Sequence, residues 1–212
     1  MKRREAIKGL GLSFGALLVG PGALSLLQSC AQETGPIWEP TFFAKNQVQF
    51  LNKVTDIILP KTPDSPGATE VNVPQFIDKF IKQVYEGEEQ QIMSQGINYL
   101  TSILLNKNDI EDLDSLDPKD IEPILAKVLK KSKEEDEEIW KAYNEAMENE
   151  SQIDDDMANY IALSNIRSLS IFAYKNSEFV GEEILAYTPV PGKQEGCIDL
   201  SETGGKAYSL SW

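Results

Sequence analysis

"DDDMANYIALSNIRSLSIFAYKNSEF", Asp154 to Phe179, is the stretch whose reading decides the fold. It is the most apolar of the helical segments in the body of the chain, and it opens on three acids, Asp154 to Asp156, which suit the positive end of a helix dipole. A helix this apolar belongs at the centre of a bundle. Its neighbours keep the same period. "EEDEEIWKAYNEAMEN" carries only a thin apolar stripe of Ile139, Tyr143 and Met147 and reads as a short acidic helix. In "LDPKDIEPILAKVLKKS", Asp117 is placed as a cap and Pro118 as a first-turn residue. A further helix is expected from about Glu88 to Asn106, with Ile92, Ile97, Leu100, Ile103 and Leu104 as its apolar positions.

Further upstream, Pro74 opens "PQFIDKFIKQVYEG", with Phe76, Ile77, Phe80, Ile81 and Val84 on one face. "FFAKNQVQFLNKVTDIILP" places Phe43, Val48, Leu51, Val54, Ile57 and Ile58 at helical spacing until Pro60 ends it. Between these two lies "KTPDSPGATEVNVP", whose Pro, Gly, Ser and Asp content reads as a loop. No convincing sheet and no internal repeat is found. The expectation is an all-α, compact bundle of about five to six helices.

The character changes at "AYTPVPGKQEGCIDLSETGGKAYSLSW", which has no helical period. Such a segment reads as an irregular C-terminal arm lying over the helices or over another protein. Tyr187, Tyr208 and Trp212 are its candidate anchors, since aromatic side chains are enriched at interfaces. Packing of any one of them on the arm's own domain is an equal expectation. Cys197 sits in the middle of the arm.

The chain opens "MKRREAIKGLGLSFGALLVGPGALSLLQSC", a positive head, an uncharged middle from Gly9 to Leu27 and a small or polar end. That order is an export signal. Pro21 and several glycines interrupt the middle, which makes it a poor permanent membrane helix. "RREAIK" resembles the twin-arginine export motif through Arg3 and Arg4, and "LQSC" resembles a lipobox in which Cys30 becomes the acylated N-terminus. An ordinary secretory signal with a chance arginine pair is the alternative. Residues 1–29 are therefore expected to be the signal, 30–41 a tether, and 42–212 the helical domain. The twin-arginine route carries folded chains, so a small protein using it needs a cofactor or a folded partner. The glycines Gly9, Gly11 and Gly15 follow no strand and do not make a nucleotide-binding loop.

Composition narrows the chemistry. The 212 residues hold 34 acids against 20 Lys and Arg and no histidine, a formal net charge of −14. Removing residues 1–29 takes away four of the basic residues and one acid. Such a surface excludes nucleic acid, which needs a basic face. Attachment to a membrane would come from acylation of Cys30 rather than from charge. With no histidine, Ser–His and Cys–His nucleophiles are ruled out, and no zinc ligand set is present. The acid-dense stretch from Asn106 to Asp120 offers no register with both the glycine and the glutamate of a calcium loop. No pair among the many carboxylates stands out as a glycosidase pair. No catalytic, cofactor-binding or metal-binding residue is assigned. With Cys30 lipidated, Cys197 would be unpaired in an oxidising compartment, so a buried inert residue and a bridge to another subunit both stay open.

Three patches resemble the gluconate 2-dehydrogenase subunit 3 family, the small subunits of bacterial flavin-dependent dehydrogenases. They are "RREAIK" with its apolar tail, "DIILPKTPDSPGATEVNVPQFID" from Asp56 to Asp78, and "LAYTPVPGKQEGCIDL" from Leu185 to Leu200 with "GGKAYSLSW" at the end. The "PVPG…GC" portion is the most specific, and the acidic middle from Asn106 to Ser151 adds little. The resemblance implies a helical, non-catalytic subunit that escorts and stabilises an FAD-dependent sugar or polyol dehydrogenase of the glucose–methanol–choline type, with the FAD held by the large subunit. It implies export on the small subunit's twin-arginine signal, and a periplasm-facing lipoprotein of the cell envelope. A cytochrome c subunit is a further partner in such complexes, although the lipobox would hold this one on a membrane without it. On this reading Tyr187, Pro189, Pro191, Gly192, Gly196 and Cys197 are candidate contacts with the large subunit, and Cys197 is a candidate for a disulfide to it. The alternative is a stand-alone envelope lipoprotein binding a ligand or another protein.

Overall fold

The computed structural model describes residues 38–188, 192 and 197–209. Six α-helices carry the described fold: α1 Lys45–Ile58, α2 Val73–Val84, α3 Gly87–Asn108, α4 Pro118–Leu129, α5 Lys133–Glu148 and α6 Asp155–Lys175. Among the described residues there is no strand; pairing is limited to two isolated bridges, Thr62 with Ser65 and Ala186 with Tyr208. No helix among them is long and apolar enough to cross a membrane. The all-α reading therefore holds.

α6 is the central helix. Eleven of its residues are buried, including every one from Ala158 to Ser164, so it is enclosed on all sides over that stretch. The Asp154 carboxylate caps it, accepting the Met157 N–H at 2.8 Å, with Asp155 and Asp156 in the first turn. Its main neighbour is α3, and it also touches α1, α2 and α4. The α3–α6 approach is closest at Gly96. A Cβ on that residue would lie 2.2 Å from the Ala158 carbonyl oxygen and 2.8 Å from the Ala162 Cβ. Glycine is there because nothing larger fits between the two backbones.

The main core joins α1 (Phe50, Leu51, Val54), α2 (Ile77, Ile81), α3 (Ile97, Leu100, Leu104) and α6 (Leu163, Ile166). α5 buries no residue. It lies on a satellite cluster instead, with Ile139, Trp140, Tyr143 and Met147 packed against Ile92, Ile153 and Ile161. The Tyr160 hydroxyl donates to the Asp136 carboxylate, a polar tie between α6 and α5.

Two boundaries differ from the sequence reading. Helical spacing suggests that α1 includes Phe43, but the helix starts at Lys45. The preceding turn is taken over by Asp78 on α2. That fully buried carboxylate accepts the Thr41 N–H at 2.7 Å, the Thr41 hydroxyl at 2.8 Å, and the Phe42 and Phe43 N–H groups at 2.9 Å each. Donors that would otherwise be orphans before a helix are satisfied from another element, and a buried carboxylate is tolerated because all its partners are donors. Phe43 is still a core residue, packed edge-on to Phe42 with centroids 5.0 Å apart. α3, in turn, runs Gly87–Asn108 rather than from Glu88 to Asn106. Glu89 accepts the Glu86 N–H at 2.8 Å at its start, and the Asn108 amide donates to Leu104 O at 2.9 Å at its end, before Asp109 turns left-handed at φ 52°.

A single lysine fastens the α3–α4 connection. Lys53 of α1 donates to the carbonyls of Leu113, Asp114 and Leu116 at 3.3, 2.7 and 2.8 Å. Three carbonyl dipoles converging on one ammonium close the short 3-10 turn Leu113–Ser115 and hold Leu113 and Leu116 in the core.

Candidate functional site

The Thr-Pro-Gly loop after α1 is tightly built. The Thr69 N–H and hydroxyl bind the Asp56 carboxylate at 2.9–3.1 Å, and the Gly67 N–H donates to Glu70 at 2.9 Å. Lys61 pairs with Glu70 across the loop, and these donors hold the Glu70 carboxyl below its usual range, the Lys61 bond being the larger cause. The Ala68 N–H returns to Leu59 O at 3.0 Å. At Gly67 a Cβ would be 3.3 Å from both the Asp56 carboxylate and the Lys61 amide nitrogen, so the loop closes around that residue. The Tyr174 hydroxyl donates to Pro66 O at 2.9 Å, which seats the loop on the last turns of α6.

The chain leaves α6 through a single π-turn, Val180–Ile184, which buries Val180 and Gly181 and leaves Phe179 52% exposed. Phe179 stands between two concavities. One, of about 350 Å³, is lined by Glu70, Asn72, Glu178, Glu182 and Glu183 among others. The other, of about 430 Å³, runs along Thr62 to Pro66. Both are also lined by Val71. Phe179 is thus a large, half-exposed apolar side chain set among carboxylates on an acidic surface.

The arm begins beside this turn and returns to it. The Ala186 N–H donates to Ala207 O at 2.8 Å and the Ser209 N–H to Ala186 O at 2.9 Å, while the Lys206 ammonium binds Glu183 O at 3.0 Å. The described end of the arm is thus clamped at its own root. Its apolar side chains nonetheless face outward: Tyr187, Leu200 and Tyr208 are all exposed, and Cys197 is a free, exposed thiol. Of the two readings of Cys197, the buried one does not hold, because the thiol is exposed. Gly192 is exposed too. Arg3, Arg4, Cys30, Pro189, Pro191 and Gly196 lie outside the described residues, as does Trp212.

A second aromatic group continues from the end of α6 onto α2. Phe172 lies 5.9 Å from Phe76, Phe76 lies 5.4 Å from Phe80, and Phe80 lies 5.9 Å from Tyr85. Phe172 is 45% exposed, and Val84 and Ile171 are exposed as well. Sequence reasoning assigned Val84 to the apolar face of α2 and gave Phe172 and Phe179 no separate role. The signal for Phe179 was its position past Asn176 and Ser177, where a helix-ending pair precedes an apolar residue with nothing left to pack on. Among the described residues no group of three or more His, Cys, Asp or Glu is placed to hold a metal ion. What the arrangement offers chemically is a docking surface: outward-facing aromatics, an acidic rim and a clamped loop.

A helical bundle that keeps its apolar anchors at one helix end and on an irregular arm is built as a subunit. The pattern that defines the gluconate 2-dehydrogenase subunit 3 family matches residues 45–192, more than two thirds of the chain, and the chain belongs to that family. The match takes in α1 to α6, the π-turn and the first part of the arm. A comparison with curated proteins gave no match, and neither did one with solved structures.

Proposed function

We propose that this chain is the non-catalytic small subunit of an exported FAD-dependent sugar or polyol dehydrogenase of the glucose–methanol–choline type. It escorts and stabilises the large subunit, which holds the FAD, and the arm with the Phe179 face is where the two meet. Membership of the family supports the dehydrogenase partner. The observation that carries the contact is that Tyr187, Leu200, Tyr208 and Cys197 of the arm are exposed rather than packed on the helices. Aromatic side chains left in water on a clamped segment are the usual anchors of an interface. The exposed thiol of Cys197 supports it as the candidate for a disulfide across that contact.

Export through the twin-arginine route on Arg3 and Arg4, and anchoring by a lipid on Cys30, complete the reading. The mature protein would then be a lipoprotein facing the periplasm. A cytochrome c subunit is a third member that the same complex accommodates.

Purification from membranes through a C-terminal tag tests the proposal. The expected eluate is yellow from bound flavin and contains a second, larger chain. Arg3→Lys with Arg4→Lys should remove that partner from the envelope, and Phe179→Asp with Tyr187→Asp should release it without unfolding this chain. A non-reducing gel should show a linked band that Cys197→Ser abolishes. A colourless eluate with this chain alone would overturn the escort role.

A further inference from the structure

The molecule has a second concave site, of about 630 Å³, between α3, α4, α5 and α6, which shares no lining residue with the concavities around Phe179. Its volume is within the ordinary range of small-molecule sites. The interior is apolar, lined by Ile103, Ile124, Val128, Ile139 and Met157. It exists because α5 buries no residue of its own and rests on the satellite cluster, leaving a gap against α4 that side chains do not fill.

Two observations say what would fill it. The first is charge. Lys107 of α3, with Lys127 and Lys131 of α4 and the turn after it, lines the site, and among the described residues none of the three is in a salt bridge. Ile124, Lys127 and Val128 share one stripe of α4, and Lys131 lies just past the end of that helix. Most lysines among the described residues lie outside salt bridges; what marks these three is that they converge on one apolar cavity in a chain with a formal net charge of −14. The acids at the site are Asp154, which is engaged in capping α6, and Asp156 in the first turn of that helix. The second observation is an orphan. Asn159 lines the cavity, is only 3% exposed, and its side-chain oxygen has no hydrogen-bond donor among the described residues. Buried polar atoms are almost always paired, so an unpaired one on a residue that lines a cavity is the acceptor open to a donor from whatever occupies it.

We propose that this cavity binds a small amphipathic organic anion, with an apolar body over Ile103, Val128 and Met157, an acidic group at the three lysines, and an N–H or O–H donor to Asn159. No bond is made or broken. The site is independent of the docking face, and it would be present in this chain whether or not a partner is bound.

Anilinonaphthalene sulfonate has all three features and brightens in apolar surroundings. Titrated into the full-length chain, it should bind one-to-one and be displaced by dodecanoate but not by dodecyltrimethylammonium. Lys127→Glu with Lys131→Glu should weaken binding at least tenfold; both lysines are exposed, so the chain should still fold. Asn159→Leu should weaken binding while leaving the fold at least as stable, because it removes the orphan. If the charge-reversed chain fails to fold, Lys127→Gln with Lys131→Gln carries the same comparison. An affinity unchanged in the lysine variants, or displacement by the cationic amphiphile as readily as by dodecanoate, would overturn the proposal.

Discussion

Gly96 shows how much one residue settles. Its missing Cβ lets α3 lie against the backbone of α6 at Ala158, and the obstacle to anything larger is a carbonyl group rather than a flexible side chain. Gly96→Ala should therefore force the two longest helices apart and cost about 3 kcal/mol, the upper end for overpacking. For a chain of this size that lowers Tm by roughly 6–12 °C; a thermal melt within 2 °C or so of the parent would refute the crossing. Tyr85 makes a different prediction. Its hydroxyl donates to the Asn165 side chain at 2.8 Å, and burial, reinforced by the nearby Glu89 charge, pushes its pKa up to about 12. The unfolded chain releases that proton near the ordinary tyrosine value, so the folded state holds it more tightly. The stabilisation is complete below about pH 10 and is lost as pH rises from there towards 12. Urea unfolding at several pH values should show the decline, and Tyr85→Phe should make it shallower.

At the scale of the element, the short connections carry more than their length suggests. The α3–α4 turn holds Leu113 and Leu116 in the core, yet its carbonyls have no helix to continue into, and the Lys53 ammonium supplies the donors. Lys53→Met keeps the length of the side chain and removes those donors, which should cost about 2 kcal/mol, the usual worth of hydrogen bonds to a charged group. Amide exchange should locate the damage: the Leu116 N–H, bonded to Leu113 O at 3.3 Å, should exchange faster, while amides in the middle of α6 keep their rank order. Uniform acceleration along the chain would instead point to global destabilisation. α5 illustrates the converse case. Its start carries a signal that the sequence reading did not use: Ser132 and Glu135 form a reciprocal capping pair, with the Ser132 N–H to Glu135 at 2.8 Å and the Glu135 N–H to Ser132 Oγ at 3.2 Å. Where its thin stripe packs was not legible, because three apolar residues on an acidic helix specify a contact without naming the surface.

On the scale of the whole molecule the acidic surface dominates. Like charges crowd together on folding, and the effect is screened within about 10 Å at 0.1 M salt. Raising sodium chloride from about 0.01 M to about 0.3 M should therefore raise Tm by a few degrees; a fall would mean that attractive pairs outweigh the repulsion. Only three salt bridges occur among the described residues, all between exposed groups, and such pairs contribute little. The expected direction follows.

Helical spacing, Pro118 after Asp117, and the apolar character of the segment from Asp154 to Phe179 determined the all-α class, a bundle of about five to six helices and the central place of α6. These are local properties, readable wherever period and capping chemistry agree. Only the tertiary structure decided that the turn before α1 belongs to Asp78, that α3 meets α6 at Gly96, that Cys197 faces solvent, and that Lys107 and Lys127 share a cavity with an unpaired Asn159. Each of those depends on groups far apart in the chain: 35 residues separate Phe43 from the carboxylate that holds its amide. A periodic pattern says which side of a helix is apolar. It does not say which helix it will meet, and at that meeting the glycine, the buried acid and the cavity acquire their meaning.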